Sequence, residues 1–246
     1  MTQALAYQEL RQKKRPQPRR STQRNIEAIR QSVDDIRKDI PTDDQIWSSI
    51  RNKDITRTVH SFLWMAIHNA YKCGRYWENI PSYEHRGRCA VCNAEDSLEY
   101  VLLECDIPGQ RLIWELAQEL WEMKHPTTAD LRDEKKNVLH GLTRLYRILI
   151  TESAYLIWCL RCERKISRND EPERWHTQQE IRNRLDCAMA NAKRYGKKAL
   201  EEDTVLQTWH NTLQNEDSLP DNWVREPGVL VGIGLNNRLQ GHDNDS

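Results

Sequence analysis

Apolar residues recur at intervals of three and four positions along most of this 246-residue chain. Such spacing places apolar side chains on one face of an α-helix, so it predicts amphipathic helices. The strict alternation typical of a half-buried strand is nearly absent, and 228–232 is the one short stretch with strand character. The pattern predicts a mainly α protein, an irregular helical array with a small Cys-rich, zinc-knuckle-like insertion.

Capping signals and prolines divide this pattern into separate helices. Thr22 is a predicted N-cap, Pro41 ends the helix that follows it, and Thr42 caps a second, short helix. Apolar spacing predicts further helices at 56–72, 97–105, 112–121, 142–166, 173–199 and 205–213. The polar segment 126–136 interrupts the series and is the predicted boundary between two subdomains.

The two ends of the chain differ in composition from the helical middle. Residues 1–21 are polar and carry Pro16 and Pro18, and the tail after Asn215 holds further prolines and scattered glycines. Such segments bury too little apolar surface to offset the entropy of ordering. The sequence therefore predicts a disordered basic N-terminal arm (1–21), a helical region with the zinc-knuckle-like motif (22–125), a C-terminal helical region (137–214) and a flexible tail (215–246).

Charge is balanced over the whole chain but not along it. The formal net charge is +0 at pH 7 and favours no class of partner, yet residues 11–24 hold seven basic residues and no acid. Basic tracts of this kind contact nucleic-acid phosphates through counterion release. The alternative is a solvated, disordered arm without a ligand. The residues expected to contact RNA or DNA are Arg11, Lys13, Lys14, Arg15, Arg19 and Arg20.

Neither a membrane segment nor a secretory signal is evident in the sequence. The chain has no run of eighteen apolar residues and no apolar stretch near its N-terminus. Its seven cysteines are an odd number, and four of them form Cys-x-x-Cys pairs, which favours metal or core thiols in a reducing compartment. We expect an intracellular protein, nuclear or cytoplasmic, with no membrane partner.

One Cys-x-x-Cys pair, Cys89 and Cys92, is followed thirteen residues later by Cys105. Two thiolates at this spacing form a hook for a soft divalent cation, and a third is typical of a small zinc knuckle. Tyr100 stands where a histidine ligand is usual, so we consider His85 as the fourth ligand of a structural zinc ion. The alternative is an eroded knuckle whose cysteines are small core residues.

Aromatic residues are mostly tryptophan and tyrosine, with nine and eight copies respectively against one phenylalanine. Exposed aromatic rings beside arginines can stack nucleic-acid bases, whereas rings at helical spacing more often belong to the core. We expect Trp47, Phe62, Trp114 and Trp121 in the core. Trp64 fits the apolar stripe least well, and for this residue both interpretations stay open.

Motifs of the common enzyme classes are missing from the sequence. It contains no Gly-rich phosphate-binding loop, no nucleophile elbow and no His-Glu-x-x-His helix. Its acids lie on predicted helix surfaces as ion-pair partners and form no two-metal carboxylate cluster. We therefore expect a non-catalytic protein without a small-molecule substrate.

Several stretches resemble the reverse-transcriptase zinc-binding region of fungal LINE-type (non-LTR) retrotransposon polyproteins. In the first half of the chain they are Ile46–Ile55, Phe62–Tyr71, Cys89–Cys92, Leu98–Cys105 and Pro108–Ala117. In the second half they are Leu145–Leu149, Ala154–Trp158 and Lys193–Leu200. The resemblance extends over nearly the whole chain, to about Gly234.

This resemblance implies a ligand set and a role. The family's zinc-binding cysteines correspond to Cys89, Cys92 and Cys105, and its histidine position falls on Tyr100, which departs from the pattern. In such elements the region follows the polymerase and ribonuclease H domains, neither of which is in this sequence, and it is thought to help hold template RNA or target DNA. A non-catalytic nucleic-acid-binding segment is the function implied; the alternatives are a helical protein-interaction module and a decayed transposon remnant.

Overall fold

The structure is a computed structural model, and it describes residues 2–13, 19–125, 138–194, 202–220, 223–225, 229 and 231–233. Helices dominate these residues, which contain only isolated β-bridges, so the prediction of a mainly α protein is confirmed. The α-helices are α1 (Gln3–Lys13), α2 (Arg20–Arg37), α3 (Asp43–Ile50), α4 (Arg57–Ile67), α5 (Leu98–Leu103), α6 (Gln110–Lys124), α7 (His140–Ser167), α8 (Gln178–Arg194) and α9 (Glu202–Trp209). Short 3₁₀ helices occupy Gly74–Asn79, Glu84–Gly87, Pro172–Arg174, Glu216–Ser218 and Trp223–Arg225.

Helix α1 lies in the N-terminal arm, where the sequence predicts disorder over 1–21. The structure differs there, because Gln3–Lys13 is helical and α2 already begins at Arg20. Alanine, leucine, glutamine and glutamate supply most of α1, and these residues have high intrinsic helix propensity. Leu5, Tyr7 and Leu10 of α1 are exposed, so propensity, and not burial of a core face, accounts for the helix.

The predicted helices are present, but several ends differ. Thr22 lies inside α2, and its hydroxyl oxygen is 2.8 Å from Nδ1 of His68, so it does not cap the helix. Thr42 does cap α3: its hydroxyl accepts a hydrogen bond from the Gln45 amide at 3.3 Å, and its own amide donates to the Gln45 side chain at 2.8 Å. This reciprocal pair is a capping box. In the stretch with strand character, Val231 forms a single bridge with Leu213.

The chain divides into two compact units, which do not coincide with the predicted regions. The first unit contains Met1–Ile50 and Leu63–Tyr71, and the second contains Arg51–Phe62 and Lys72–Ser246. One limit between the units therefore falls within α4. The boundary predicted at 126–136 lies outside the described residues.

The first unit has a small core formed by isoleucines. Ile26 of α2, Ile46 and Ile50 of α3 and Ile67 of α4 are buried against one another. The side-chain amide of Asn25 donates to the carbonyl oxygens of Ala66 and Ile67, at 3.2 and 3.0 Å. These carbonyls lie in the last turn of α4, where carbonyls lose their regular helical partners; Ala66 also accepts from the Asn69 amide at 3.0 Å, and Asn25 ties α2 to this segment.

The second unit is organised around α7, which spans 28 residues and packs against α5, α6, α8 and α9. Leu145, Ile148 and Leu160 of α7 are buried, as are Leu120 of α6 and Leu185 of α8. Burial by four partner helices explains why the apolar surface of α7 is so wide. No helix in the described ranges is both long and apolar enough to span a membrane.

A buried ion pair also belongs to the second unit. The carboxylate of Asp54, which precedes α4, accepts hydrogen bonds from Arg144 at 3.1 Å and from Arg147 at 2.6 Å. Arg144 is itself buried and also donates to the Thr208 hydroxyl on α9 at 3.1 Å. A charge at this depth is tolerated only when it is paired, so this contact joins three segments of the unit.

Candidate functional site

A tight loop of the second unit brings the Cys-x-x-Cys pair into position. The Cys89 amide donates to the Ala94 carbonyl at 2.9 Å, and the Asn93 amide donates back to the Cys89 carbonyl at 3.0 Å. Asn93 has φ of 54°, a left-handed conformation that asparagine tolerates better than most residues. The Arg88–Glu95 bridge closes the loop at its base, and the sulfurs of Cys89 and Cys92 lie within 4.8 Å of each other.

Helix α5 carries the opposite wall of the site. The Ser97 hydroxyl accepts a hydrogen bond from the Tyr100 amide at 3.1 Å and so caps the helix at its first turn. The helix ends at Leu103, and the chain then turns back so that the amide of Cys105 donates to the Tyr100 carbonyl at 3.0 Å. This return places Cys105 beside the loop that carries the other two cysteines.

The three predicted cysteine ligands form one cluster. Their sulfur atoms all lie within 4.8 Å of one another, although Cys105 is distant from the pair in sequence. Cys89 and Cys105 are buried, and Cys92 is half-buried. A buried three-thiol cluster could hold a metal ion, and its local sequence order is that of a zinc knuckle.

Backbone amides already stabilise negative charge on these sulfurs. Burial raises the pKa of the Cys89 thiol, but N–H groups of Cys92 and Val91, together with hydrogen bonds from Tyr100 and Cys92, outweigh it, so the net pKa is lowered. Burial raises the pKa of the Cys105 thiol to about 11, although a hydrogen bond from the Ile107 amide lowers it. Amide-to-sulfur bonds of this kind support thiolate ligands in metal sites.

Tyr100 is the fourth residue of the cluster. Its side chain is buried, and this burial is the main reason that the pKa of its phenol is raised. Contacts with Cys92, Cys89 and Cys105 raise that pKa further. The hydroxyl oxygen is nevertheless a buried atom without a partner of full hydrogen-bond geometry in the described part of the chain. The phenol oxygen therefore lies against three sulfurs and is not satisfied by any of them.

His85 does not join this group. It is exposed on the 3₁₀ helix Glu84–Gly87, and its ring nitrogens do not belong to the group of ligand atoms that the three cysteine sulfurs form. His85 and Cys89 both line a neighbouring cavity of 540 Å³, whose other lining side chains include Arg86, Arg88 and Lys165. The structure thus brings three of the four predicted metal ligands together.

A buried carboxylate attaches the cysteine loop to α7. Asp96 is fully buried, and its Oδ2 forms an ion pair with Arg161 and lies 3.6 Å from Nζ of Lys165. Lys165 also donates to the Arg88 carbonyl at 2.8 Å, and the Asp96 amide donates to the Gly87 carbonyl at 2.8 Å. These contacts fix the base of the loop and hence the positions of its thiols.

The first unit contains a basic groove of 750 Å³. Its lining includes Arg19, Arg20, Arg24 and Arg30, and we refer to it below as the arginine groove. Arg30 is engaged by Glu27 at 2.9 Å and by Asp43. The other three arginines are exposed and form no ion pair within the described residues, so their charges are available to an anionic ligand.

Aromatic rings lie at the same groove. Trp47 and His68 both line it, and their rings stack with centroids 5.3 Å apart and an interplanar angle of 27°. Trp64 is not a lining residue of the groove, but its ring contacts that of His68, with centroids 4.1 Å apart, and it is 49% exposed. Trp47 packs against the isoleucine core as predicted, whereas Trp64 presents a large open ring surface.

The predicted nucleic-acid contacts fall into three groups. Arg19 and Arg20 line the arginine groove. Arg11 and Lys13 belong to α1, but the described features there are those of the backbone. Lys14 and Arg15 lie outside the described residues. Sequence reasoning did not select Arg24 as a contact, although its spacing of four from Arg20 places both on one face of α2.

Comparison of the chain with protein-family models, with curated proteins and with solved structures finds no match. The assignment of its function therefore depends on the geometry of the two sites and on the resemblance of the sequence.

A second group of metal-type side chains is better explained as an ion-pair network. Ligand atoms of Glu163, His176 and Glu180 lie within 4.8 Å of one another. Arg184 contacts both carboxylates, at 2.8 and 3.0 Å, and Arg168 donates to Glu180 at 2.7 Å. The Arg184 hydrogen bond and the contact with His176 outweigh burial and lower the pKa of Glu163 to about 2. Two guanidinium groups already neutralise the carboxylates that a cation would need.

Proposed function

We propose that this chain is a non-catalytic nucleic-acid-binding segment, derived from a retrotransposon reverse transcriptase, with a structural zinc ion in its three-cysteine cluster. The observation that carries the proposal is the arginine groove, where three arginines without an ion pair among the described residues lie beside stacked aromatic rings. Cationic side chains supply phosphate contacts, and exposed rings supply a surface on which bases stack.

The combination favours single-stranded RNA or DNA as the ligand. Bases in a duplex are stacked on each other and cannot pack on a protein ring, whereas an unpaired base can. Trp64, which is half-exposed, offers such a ring, and it contacts His68, which in turn stacks on Trp47. Arg19, Arg20 and Arg24 would then contact the backbone that connects successive bases.

The cysteine cluster supports the metal part of the proposal. Its donors are thiols, which bind zinc as thiolates, and backbone amides already point at the Cys89 and Cys105 sulfurs. Cys89, Cys92 and Cys105 would hold the ion, which would cross-link the cysteine loop to the end of α5. A structural zinc ion of this kind contributes folding free energy and no reaction chemistry.

The resemblance of the sequence agrees with both parts. The reverse-transcriptase zinc-binding region places its cysteine ligands at the positions of Cys89, Cys92 and Cys105, and its expected role is to hold RNA or DNA. The retrotransposon origin and the zinc identity are proposals that this resemblance supports.

A salt titration tests the nucleic-acid proposal. Binding of a fluorescent single-stranded oligonucleotide is measured by anisotropy at several salt concentrations, for the full chain and for R19A/R20A/R24A. Removing three phosphate contacts should reduce the slope of log K against log salt by about 2, since each contact contributes ~0.7 on a single strand.

The matched control is R51A/R57A/R111A. These arginines are also exposed and form no ion pair within the described residues, but they belong to the second unit. The control should bind like the original chain. Equal losses of affinity in the two triple variants would show that binding depends on net charge, and this result would contradict binding in the arginine groove. Absence of salt-sensitive binding in the original chain would favour the protein-interaction alternative, for which the exposed apolar residues of α1 are the candidate surface.

A further inference from the structure

The cysteine cluster contains four donor atoms, not three. The sulfurs of Cys89, Cys92 and Cys105 lie within 4.8 Å of one another, and the Tyr100 hydroxyl lies beside these sulfurs without a full hydrogen bond to any of them. A tetrahedral ion takes four ligands, and the phenol oxygen is a fourth donor beside the three sulfurs. The arrangement therefore has the donor number of a closed structural site without a histidine.

The state of the Tyr100 hydroxyl supports the same conclusion. It is a buried oxygen without a partner of full hydrogen-bond geometry among the described residues, and such atoms are rare in folded proteins. A buried polar atom left in this state costs free energy unless a further group satisfies it. An ion bound by the three thiolates would be that group.

Taking the metal site of the proposed function as given, we propose that Tyr100 is its fourth ligand, so that the ion is held by three cysteine sulfurs and one tyrosine oxygen. His85 is not required, because it is exposed and its ring nitrogens lie outside the group of mutually close donors. The assignment replaces an imidazole, the usual partner of three thiolates in a knuckle, by a phenolate.

The charges of such a site are within the range that proteins tolerate. Zinc with three thiolates and one phenolate carries the same total charge as zinc with four thiolates, which is a common structural site. The phenol proton leaves to solvent when the oxygen binds the ion; zinc ionises coordinated water in the same way, lowering its pKa from 15.7 to about 7. The amides of Val91, Cys92 and Ile107 donate to the sulfurs and offset part of the excess negative charge.

Competition against a chromophoric zinc chelator tests the assignment in the full chain. Four variants are compared with the original: Y100F, H85A, Y155F and C92S. Y155F is the matched control, because Tyr155 is also partly buried with its hydroxyl beside a thiol, that of Cys159, outside the cluster. Loss of outer-shell partners alone lowers metal affinity by about 10–100-fold, so Y100F should bind zinc at least about tenfold more weakly. H85A and Y155F should match the original chain.

A second readout reports on the oxygen itself. Zinc addition should produce the ultraviolet difference band of tyrosinate in the original chain and in Y155F, but not in Y100F. Zinc binding of equal strength in Y100F would overturn the assignment, and so would a weaker Y100F when the original chain shows no tyrosinate band. If C92S and the original chain both fail to bind zinc, the metal part of the proposed function fails; if only the tyrosine tests fail, the metal site stands without Tyr100.

Discussion

Asp96→Asn should destabilise the fold beside the cysteine cluster. Asp96 is fully buried, and its carboxylate pairs with Arg161 and Lys165, whose side chains are only 10% and 12% exposed. Asparagine keeps the shape but removes the charge, which leaves two buried cations with weaker partners.

The expected loss of unfolding free energy depends on the partners that Arg161 and Lys165 keep in Asp96→Asn. Breaking a buried pair by removing one partner costs about 3–5 kcal/mol. Lys165 retains Asp170 at 3.4 Å, and Arg161 retains the face of Trp158 at 5.2 Å, so the lower end applies. We expect Asp96→Asn to lower the free energy of unfolding by about 3 kcal/mol.

Urea unfolding followed by circular dichroism measures this free energy. The adjacent residue supplies the control, since Glu95 pairs with an exposed arginine, Arg75, and is itself 39% exposed. Exposed pairs contribute about 0–1 kcal/mol, so Glu95→Gln should cost no more than that. If Asp96→Asn costs as little as Glu95→Gln, the buried pair does not hold the cysteine loop on α7 and the reasoning is wrong.

Three further predictions concern other parts of the chain. Arg184 and then His176 hold the pKa of Glu163 at about 2, against an ordinary value of 4.5. The stabilisation from this carboxylate is therefore complete above pH 4.5 and is lost as the pH falls towards 2. Because Glu163 is 39% exposed, Glu163→Gln should remove only about 1 kcal/mol of this acid-dependent stability, as measured by urea titrations between those pH values. Gly141→Ala should destabilise the fold by about 1–3 kcal/mol, since its Cβ would lie 2.5 Å from the Gln207 carbonyl oxygen, and an unchanged melting temperature would contradict that close contact. Trp64→Ala should weaken oligonucleotide binding by about 1–3 kcal/mol while leaving the unfolding free energy nearly unchanged, and equal anisotropy titrations of the two proteins would exclude stacking on this ring.

Local signals allowed much of the fold to be predicted from the sequence. Apolar spacing indicated α6 and α7, and the predicted cap at Thr42 is confirmed, because both depend on residues within a few positions of one another. Helix α1 was not predicted, since the basic and proline-containing tract around 11–18 outweighed the high helix propensity of the residues before it.

Contacts between distant segments could not be predicted in the same way. The cysteine spacing predicted three members of the cluster and placed Tyr100 at the usual histidine position, but the contact of its hydroxyl with the sulfurs depends on how α5 packs over the loop. Asp96 and Arg161 are 65 residues apart, and Trp47 and His68 meet only after α3 and α4 have packed. Periodicity shows that such residues lie on helices or loops, but it does not show which pairs of faces meet.

Photocrosslinking is the most direct test of the central claim, that single-stranded nucleic acid binds in the arginine groove. A single-stranded oligonucleotide with a photoreactive base is irradiated with the full chain, and the crosslinked peptides are identified by mass spectrometry. The account predicts crosslinks within residues 19–30 and 47–68, with Trp64 as the principal site. Crosslinks confined to other segments, at a salt concentration where binding is saturated, would contradict it.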